Sequence, residues 1–361
     1  MSIPSVQKVW KVVRQGTPKK SLVFDENAPV PTDLKPGDVL VKVMAAALNP
    51  AGYKIMKMVP NMGSGRPYAA ENDFAGVVAA VSSDKSEFKV GDRVFGFVDL
   101  PEQKKLKQGA LTQYMRMPES FLAHIPPGIS FTEASGFALA GVTALQGLMQ
   151  TGKLQPGQHV FVNGGSSAVG GFAIQILKAK GCHVVASASA RNQDYVLGLG
   201  ADEFFDYTAA PLHKTLAKRA FSPKFDIIFD AVGLSESSLY VRSRAYLAPG
   251  GIYVSTIPEP VFTPRGIWNI LGLGAQAYLR PRWLGGVPSA FKCFVCVHNK
   301  EDLYAIRDLI QEGSLIGAPT GKLRPTTDSI YAFEDALQAY DKLMTKRTRG
   351  KVVVRVDPDA E

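Results

Sequence analysis

The sequence predicts an α/β fold in two parts, a β-barrel domain and a doubly wound parallel sheet, and three observations predict it. Residues 1 to 125 hold many short strand-like runs separated by Gly/Pro turns, which suits a partly open barrel. From Ser130 onward, helix-period and strand-period segments alternate, as in a parallel sheet with helices on its faces. At the head of that second part, HVFVNGGSSAVGGFAIQILKAKGCHVVASASAR (residues 159–191) reads as strand, glycine turn, helix and strand, a βαβ unit.

In the first part, Lys8 to Arg14 and Val39 to Ala46 are strand-like, the second following the turn signal Lys35-Pro36-Gly37-Asp38. Phe74 to Val81 is apolar and small, Val90 to Gly96 gives turn then strand, and Gly109 to Met117 is a further strand closed by Pro118. Thr132 to Met149 then reads as helix with a break near Gly141. After the βαβ unit come Tyr195 to Leu199 (helix), Glu203 to Asp206 (strand), Leu212 to Ala220 (helix), Asp226 to Asp230 (strand), Ser235 to Arg244 (helix) and Gly251 to Ser255 (strand). Pro258 to Ser289 interrupts the alternation with Gly, Pro, Trp and Leu and an apolar helical stretch, Ile267 to Leu279, which suits a pocket lid or a dimer contact. Phe291 to Val297 reads as the last sheet strand, Asp302 to Glu312 as helix, and Gly350 to Val356 as a strand returning to the first domain. The domain reading is therefore 1–135 with 300–361, and 136–299 between them.

The βαβ unit carries the cofactor argument. A strand ending in Gly164-Gly165 and a helix opening at Ala168-Val169 leave backbone N–H groups and a positive helix end for a pyrophosphate. The turn is G-x-x-S-x-x-G from Gly164 through Ser167 to Gly170; Ser166 and Ser167 add hydroxyls where a glycine would let backbone approach phosphate more closely. The second strand ends in Ser187, Ser189 and Arg191, with no acid before Asp194. An NAD site places Asp or Glu there, whereas hydroxyls and a guanidinium suit a 2′-phosphate, so NADPH is the expected cofactor. A plain turn, and a solvated loop position for Arg191, are the competing readings. Tyr195 and Tyr207 are candidates for covering an adenine, or for aromatic packing alone.

Composition bounds the rest. The 361 residues suit two domains, and 46% hydrophobic against 20% charged residues allow a large core. The net charge of +9 favours an anionic ligand such as a phosphorylated cofactor. The charges are spread out, and Lys104, Lys105 and Lys107 lack interleaved aromatics, so no specific nucleic-acid binding is expected. Three cysteines, Cys182, Cys293 and Cys296, point to a reducing compartment. The pair in FKCFVCV reads as buried strand cysteines, because a single CxxC cannot fill a zinc site. No uninterrupted run of about 18 apolar residues exists, so no membrane span is expected, and MSIPSVQKVWK has no apolar leader. The expected compartment is the cytoplasm, with the mitochondrion as the alternative.

Together, PGDVLVKV (36–43), Asn49-Pro50, DFAG (73–76), VGDRVFG (90–96), GALTQY (109–114), AGVTALQGL (140–148), LGADEFFDY (199–207), FDAVG (229–233) and RGKVVVRV (349–356) resemble the zinc-free quinone oxidoreductase branch of the medium-chain dehydrogenase/reductase superfamily, near its fungal trans-acting enoyl reductases. The resemblance implies a GroES-like catalytic domain, a Rossmann domain binding NADPH, and hydride transfer to a quinone or a conjugated carbonyl. It implies a homodimer, with monomers among the enoyl reductases. By position it implies Thr143 near the nicotinamide end, and Val232 and Gly233 near its ribose. Zinc relatives carry Gly-His-Glu where this chain has Ala70-Glu71-Asn72-Asp73, and the five histidines are scattered, so no metal site is expected. Relatives commonly carry Asp at the position of Gly52.

Reduction of an enone needs a donor to the carbonyl oxygen and a proton for the other carbon. Asn49, Tyr53 and Lys54, beside the Asn-Pro turn, are the catalytic candidates; a surface loop is the competing reading. Three functions stand: a metal-independent NADPH reductase of small quinones or enones, a trans-acting enoyl reductase for a carrier-bound polyketide chain, and a non-catalytic NADPH- or RNA-binding protein of crystallin type. Turnover with NADPH against strongly salt-dependent RNA affinity separates the last from the others.

Overall fold

The computed structural model describes residues 3–233, 237–256, 268, 271–279, 286–312 and 323–361. In chain order its strands are β1 (Val6–Val12), β2 (Leu22–Pro29), β3 (Asp38–Leu48), β4 (Tyr68–Ala69), β5 (Asp73–Val81), β6 (Arg93–Phe97), β7 (Tyr114–Pro118), β8 (Leu122–His124), β9 (His159–Asn163), β10 (His183–Ala188), β11 (Glu203–Asp206), β12 (Phe225–Asp230), β13 (Leu247–Thr256), β14 (Ala290–Phe294), β15 (Thr327–Ala332) and β16 (Lys351–Arg355). Contacts among the described residues divide the chain into two units: Met1–Val142, Val297–Gln311 and Pro325–Glu361 in the first, Thr143–Cys296 and Glu312–Arg324 in the second. The first boundary falls inside a helix, Ala138–Leu145, a few residues beyond the division at 135/136 read from the sequence.

The first unit holds the sheet β15-β16-β3-β5-β6-β8, with β7 also on β3, and a smaller sheet β2-β1-β4. The long strand β3 is its spine: it pairs antiparallel with β5, β7 and β16. All but one of its residues are buried, so it reads as a continuous apolar run rather than an alternation. The core gathers Val41, Phe74, Met115, Leu122, Val352 and Val354 from β3, β5, β7, β8 and β16. The late strand β16 is therefore part of the core that the first hundred residues begin.

The helix Pro50–Met58 follows β3 directly. Asn49 is its N-cap in extended conformation, and Pro50 fits the first helical position because its missing N–H would be unpaired there anyway. Tyr53 and Met56 point into the core, each burial contributing about 2 kcal/mol. Pro60 lies just beyond the C-cap, Val59, where a helix cannot continue. Tyr53 and Lys54 therefore stand on a helix and not in the surface loop of the competing reading.

The second unit is a six-stranded, wholly parallel sheet in the order β11-β10-β9-β12-β13-β14. Counted from β9 this is the 3-2-1-4-5-6 order of a dinucleotide-binding sheet, with the order reversing at β9. Every residue of β9 is buried, and the helix Ala168–Ala179 covers the sheet with Phe172, Ala173, Ile176 and Leu177.

Several expectations shift. The helix read over Thr132 to Met149 is broken at residues 135–137, not at Gly141: Phe131–Ala134 is one short helix with a Ser130–Glu133 capping box, and a second runs from Ala138 into a wider turn at Gln146–Thr151. The strand expected from Gly109 starts at Tyr114. The cysteines of FKCFVCV are not buried: Cys293 is exposed and Cys296, just beyond β14, is half-buried, since β14 is the last strand of its sheet and pairs with β13 alone among the described strands. Most of 258–289 lies outside the described residues, but of the helix expected over 267–279, residues 268 and 271–279 are described and helical, Ala275–Leu279 as a wider turn. Among the described residues no helix is long and apolar enough to cross a membrane.

Candidate functional site

In the second unit the glycine turn is built by three constraints. Gly164 sits at φ 83°, and a Cβ on it would meet Val232 Cγ1 at 2.5 Å. A Cβ on Gly170 would lie 2.2 Å from the Gly164 carbonyl oxygen, so the helix start can press against the strand end only with glycine there. Ser167 caps the helix: its Oγ accepts from Gly170 N–H at 3.0 Å and donates to the Gly164 carbonyl at 2.8 Å. The amides of Ala168 and Val169 belong to the first turn and have no intrahelical acceptor, which leaves them for an anion.

The end of β10 adjoins this turn. The Asn192 amide donates to Ser166 Oγ at 3.1 Å and to Ser189 Oγ at 3.2 Å, joining the turn to the loop after β10. Arg191 is exposed in the same short helical turn, and Tyr207, just after β11, is half exposed and donates its backbone N–H to the Ala188 carbonyl. Val232, also exposed, follows β12 and overlies Gly164, and Gly233 takes φ 62°. Gly164, Ser166, Ser167, Ala168, Val169, Ser189, Arg191, Tyr207, Val232 and Gly233 are thus drawn to one edge, the carboxyl ends of the parallel strands, where such sheets bind their cofactors. Thr143 is half-buried in the helix Ala138–Leu145.

Two residues of this edge were missed. Asn192 joins two candidate hydroxyls, a role its place in the sequence does not signal. Asp206, at the end of β11, accepts from Ala190 N–H, Thr208 N–H and Thr208 Oγ, and these donors hold its carboxyl below the usual range. The absence of an acid between Ser187 and Asp194 was read correctly, but pairing of β10 with β11 brings this one beside the same loop.

In the first unit the catalytic candidates meet a buried polar cluster. Asn49 Nδ2 donates to the Ala47 carbonyl (3.2 Å) and to Asp73 Oδ2 (3.0 Å), and its Oδ1 accepts from Lys351 Nζ (2.7 Å). Lys351 also pairs with Asp73 Oδ2 at 2.7 Å, the two side chains being 3% and 0% exposed. Asp73 Oδ1 accepts the Leu139 N–H at 2.7 Å. Both donors of the Asn49 amide are therefore engaged within the protein.

Glu71 forms the other half. Its Oε2 accepts the backbone N–H of Asn49 (3.1 Å) and its Oε1 the Tyr340 hydroxyl (2.6 Å). Burial raises its pKa to about 7, against the opposing pull of the Tyr340 and Asn49 hydrogen bonds and Lys351. Burial and the neighbouring carboxyl push the Tyr340 phenol well above its ordinary range. Tyr53 is buried with Lys57 over its ring at 5.1 Å, and Lys54 is half-buried.

Among the described residues no three His, Cys, Asp or Glu side chains come together in a way that could hold an ion. His124 bonds Asp92, His159 the Pro223 carbonyl and His298 the Ser120 carbonyl. Asn72, in the run that carries histidine in zinc relatives, donates to the Val98 carbonyl at 2.6 Å.

A parallel 3-2-1-4-5-6 sheet with a glycine turn, in a chain that also holds a β-rich unit completed by a late strand, defines a two-part dinucleotide-dependent architecture. Residues 35–127 match the alcohol dehydrogenase GroES-like domain family, and residues 199–354 the zinc-binding dehydrogenase family. The trans-enoyl reductase pgmF of Aspergillus terreus is 35% identical over 99% of this chain and 98% of its own length. The zinc-type alcohol dehydrogenase-like protein C16A3.02c of Schizosaccharomyces pombe is 31% identical over 97% of each. The solved quinone oxidoreductase of Coxiella burnetii superposes with a TM-score of 0.75 at 26% identity, covering 97% of this chain and 99% of that one. The chain belongs to the medium-chain dehydrogenase/reductase superfamily.

Proposed function

We propose that the protein is an NADPH-dependent, metal-independent reductase that delivers hydride to the C=C bond of an α,β-unsaturated carbonyl or to a quinone. The observation that carries this reading is the glycine turn: its capped helix start offers the Ala168 and Val169 amides to a pyrophosphate, and the loop beside it offers Ser189 and Arg191 to a 2′-phosphate. Bound there, the reduced nicotinamide supplies the hydride. Val232 and Gly233 then flank the turn, Tyr207 is the aromatic candidate for the adenine, and Thr143 a candidate contact for the nicotinamide.

Of the three catalytic candidates, Asn49 serves best as a positioning group, since its amide already holds Asp73, Lys351 and the Ala47 carbonyl. Tyr53 packs in the core, and Lys54, on the same helix, is the candidate to polarise the substrate carbonyl as negative charge develops. The resemblance to pgmF favours an enoyl thioester on a carrier among the possible acceptors. The free thiols accord with a reducing compartment, and we assign the activity to the cytoplasm. A monomer or a homodimer is compatible with this reading.

The test is oxidation of NADPH, with NADH in parallel, against 1,4-quinones, short enones and an enoyl thioester after chelator treatment. Turnover that prefers NADPH and survives the chelator supports the reading, and the best acceptor names its branch. NADPH binding without turnover of any acceptor refutes it.

A further inference from the structure

The helix Pro50–Met58 lacks a normal feature of its start. In a capping box the side chain at the third helical position reaches back to the N-cap N–H. Here that third position is Gly52, which has no side chain, and the Asn49 N–H is taken instead by Glu71 from a segment 22 residues on. The fit is close: a Cβ on Gly52 would lie 2.1 Å from Glu71 Oε1. The carboxyl of Glu71 therefore fills the space that any side chain at position 52 would need.

Glu71 is itself held at some cost. It is a non-glycine residue at φ 63°. Its carbonyl is pinned in that conformation by the Ala110 N–H at 3.0 Å and by Gln103 Nε2 at 2.9 Å. The groups facing its carboxyl are Tyr340 from the helix Ala336–Met344, Tyr68 from β4, Asp73 from β5, Lys351 from β16 and the Asn49 amide. A recess of about 10 Å³, room for one water, is lined by Gly52, Ile55, Tyr68, Glu71 and Gln103.

We propose that Glu71 is a positioning residue for the reduction: its carboxyl, seated over Gly52, supplies in trans the capping bond that orients Asn49 and the helix bearing Lys54. Positions 52 and 71 form one unit, in which the acid can stand at either place but not at both. This rests on the reductase reading of the preceding section.

The experiment is an exchange of the acid: Glu71→Gly, Gly52→Asp and the double variant, with Glu71→Gln as the shape-preserving control. NADPH binding to each, followed by cofactor fluorescence, shows that the fold persists. Each single exchange variant is expected to lose about tenfold or more in kcat/KM, one leaving the Asn49 N–H without an acceptor and the other forcing two carboxyls together. The double variant is expected to return to within about threefold of the parent, because glycine relaxes position 71 and an Asp at position 52 grows its carboxyl from a Cβ 2.1 Å from where Glu71 Oε1 was. Glu71→Gln is expected to remove a titration near neutral pH from the kcat/KM profile of the parent. A double variant no better than the worse single, or a pH profile that Glu71→Gln leaves unchanged, overturns the proposal. Should the parent turn over no acceptor, the reductase reading fails by itself. Hydrogen exchange of the peptide covering residues 49–58 then still decides the role of Glu71: protected in the parent and the double variant, and exposed in Glu71→Gly, if the capping bond is as described. Equal exchange in all three removes it.

Discussion

Replacing Glu71 by Gln should change how stability depends on pH, and the direction follows from the surroundings of the carboxyl. The folded protein raises the pKa of Glu71 from 4.5 to about 7, so the folded state holds its proton more tightly than the unfolded chain does. Stability from this group is fully present below the unfolded pKa. It falls as pH rises between 4.5 and 7, and above 7 the loss is complete. The shift corresponds to about 3 kcal/mol. Glutamine keeps the shape and resembles the protonated acid: its oxygen can accept the Asn49 N–H while its NH₂ donates to the Tyr340 oxygen. The two proteins should therefore be nearly equal in stability at pH 4 and differ by about 1 kcal/mol at pH 5, and the variant should be the more stable by about 3 kcal/mol at pH 8. Urea unfolding of both at several pH values measures this. The fluorescence of Trp10, buried in the same unit with its indole N–H on the Phe333 carbonyl, is a suitable probe. A difference in stability that stays constant from pH 5 to pH 8 would refute the assignment of a buried, titrating carboxyl.

Other expectations are as direct. Arg191→Ala should raise the Kd for NADPH by roughly 10- to 100-fold, the worth of a charge-assisted contact to phosphate, and leave NADH nearly unchanged; equal loss for both cofactors removes the 2′-phosphate assignment. Lys351→Met should destabilise the first unit by about 3 to 5 kcal/mol, because it leaves the Asp73 carboxylate buried without its cation; denaturant unfolding gives the number, and a loss below about 1 kcal/mol contradicts it. Ser167→Ala should cost about 1 kcal/mol of stability through the lost cap, and Gly170→Ala should weaken NADPH binding more than it, since its Cβ meets the Gly164 carbonyl; titration of cofactor fluorescence ranks the two. Lys54→Met should lower kcat for the best acceptor by about 100-fold with little change in the Kd for NADPH, and a near-parental kcat in stopped-flow assays rules it out as the polarising donor.

The parts legible in the sequence were the local ones. Strand, turn and helix at the head of the second unit are written in some thirty consecutive residues, each choice agreeing with its neighbours. The cluster around Asn49 was not legible, since Glu71 meets Tyr340 across 269 positions and Asp73 meets Lys351 across 278. Ala70 to Asn72 were read only for the zinc ligands they lack, and Asp73 only as part of the DFAG marker. A signal was present: a lysine opening the apolar KVVV and an acid opening the apolar DFAG need partners if both strands are buried. The strand β2 was missed because Asp25, Glu26 and Asn27 hide its alternation at a sheet edge. Cys293 and Cys296 were placed inside for the opposite reason, an apolar run whose first half turned out to be the sheet's last strand.

The pairing of β16 with β3 has a consequence for the order of synthesis. Asp73 leaves the ribosome 278 residues ahead of the lysine that neutralises it. At about 5 to 20 residues per second the interval is on the order of 15 to 55 s. Over that time the part of the long apolar strand β3 that pairs with β16 has an open edge, the kind of surface against which chaperones guard nascent chains. The parallel sheet of the second unit, whose strands all lie between His159 and Phe294, can close before that edge is covered. Nascent chains arrested before Lys351 should thus show a protease-resistant second unit and a cleavable first one, and equal resistance of both would show that β16 is dispensable for closing the first.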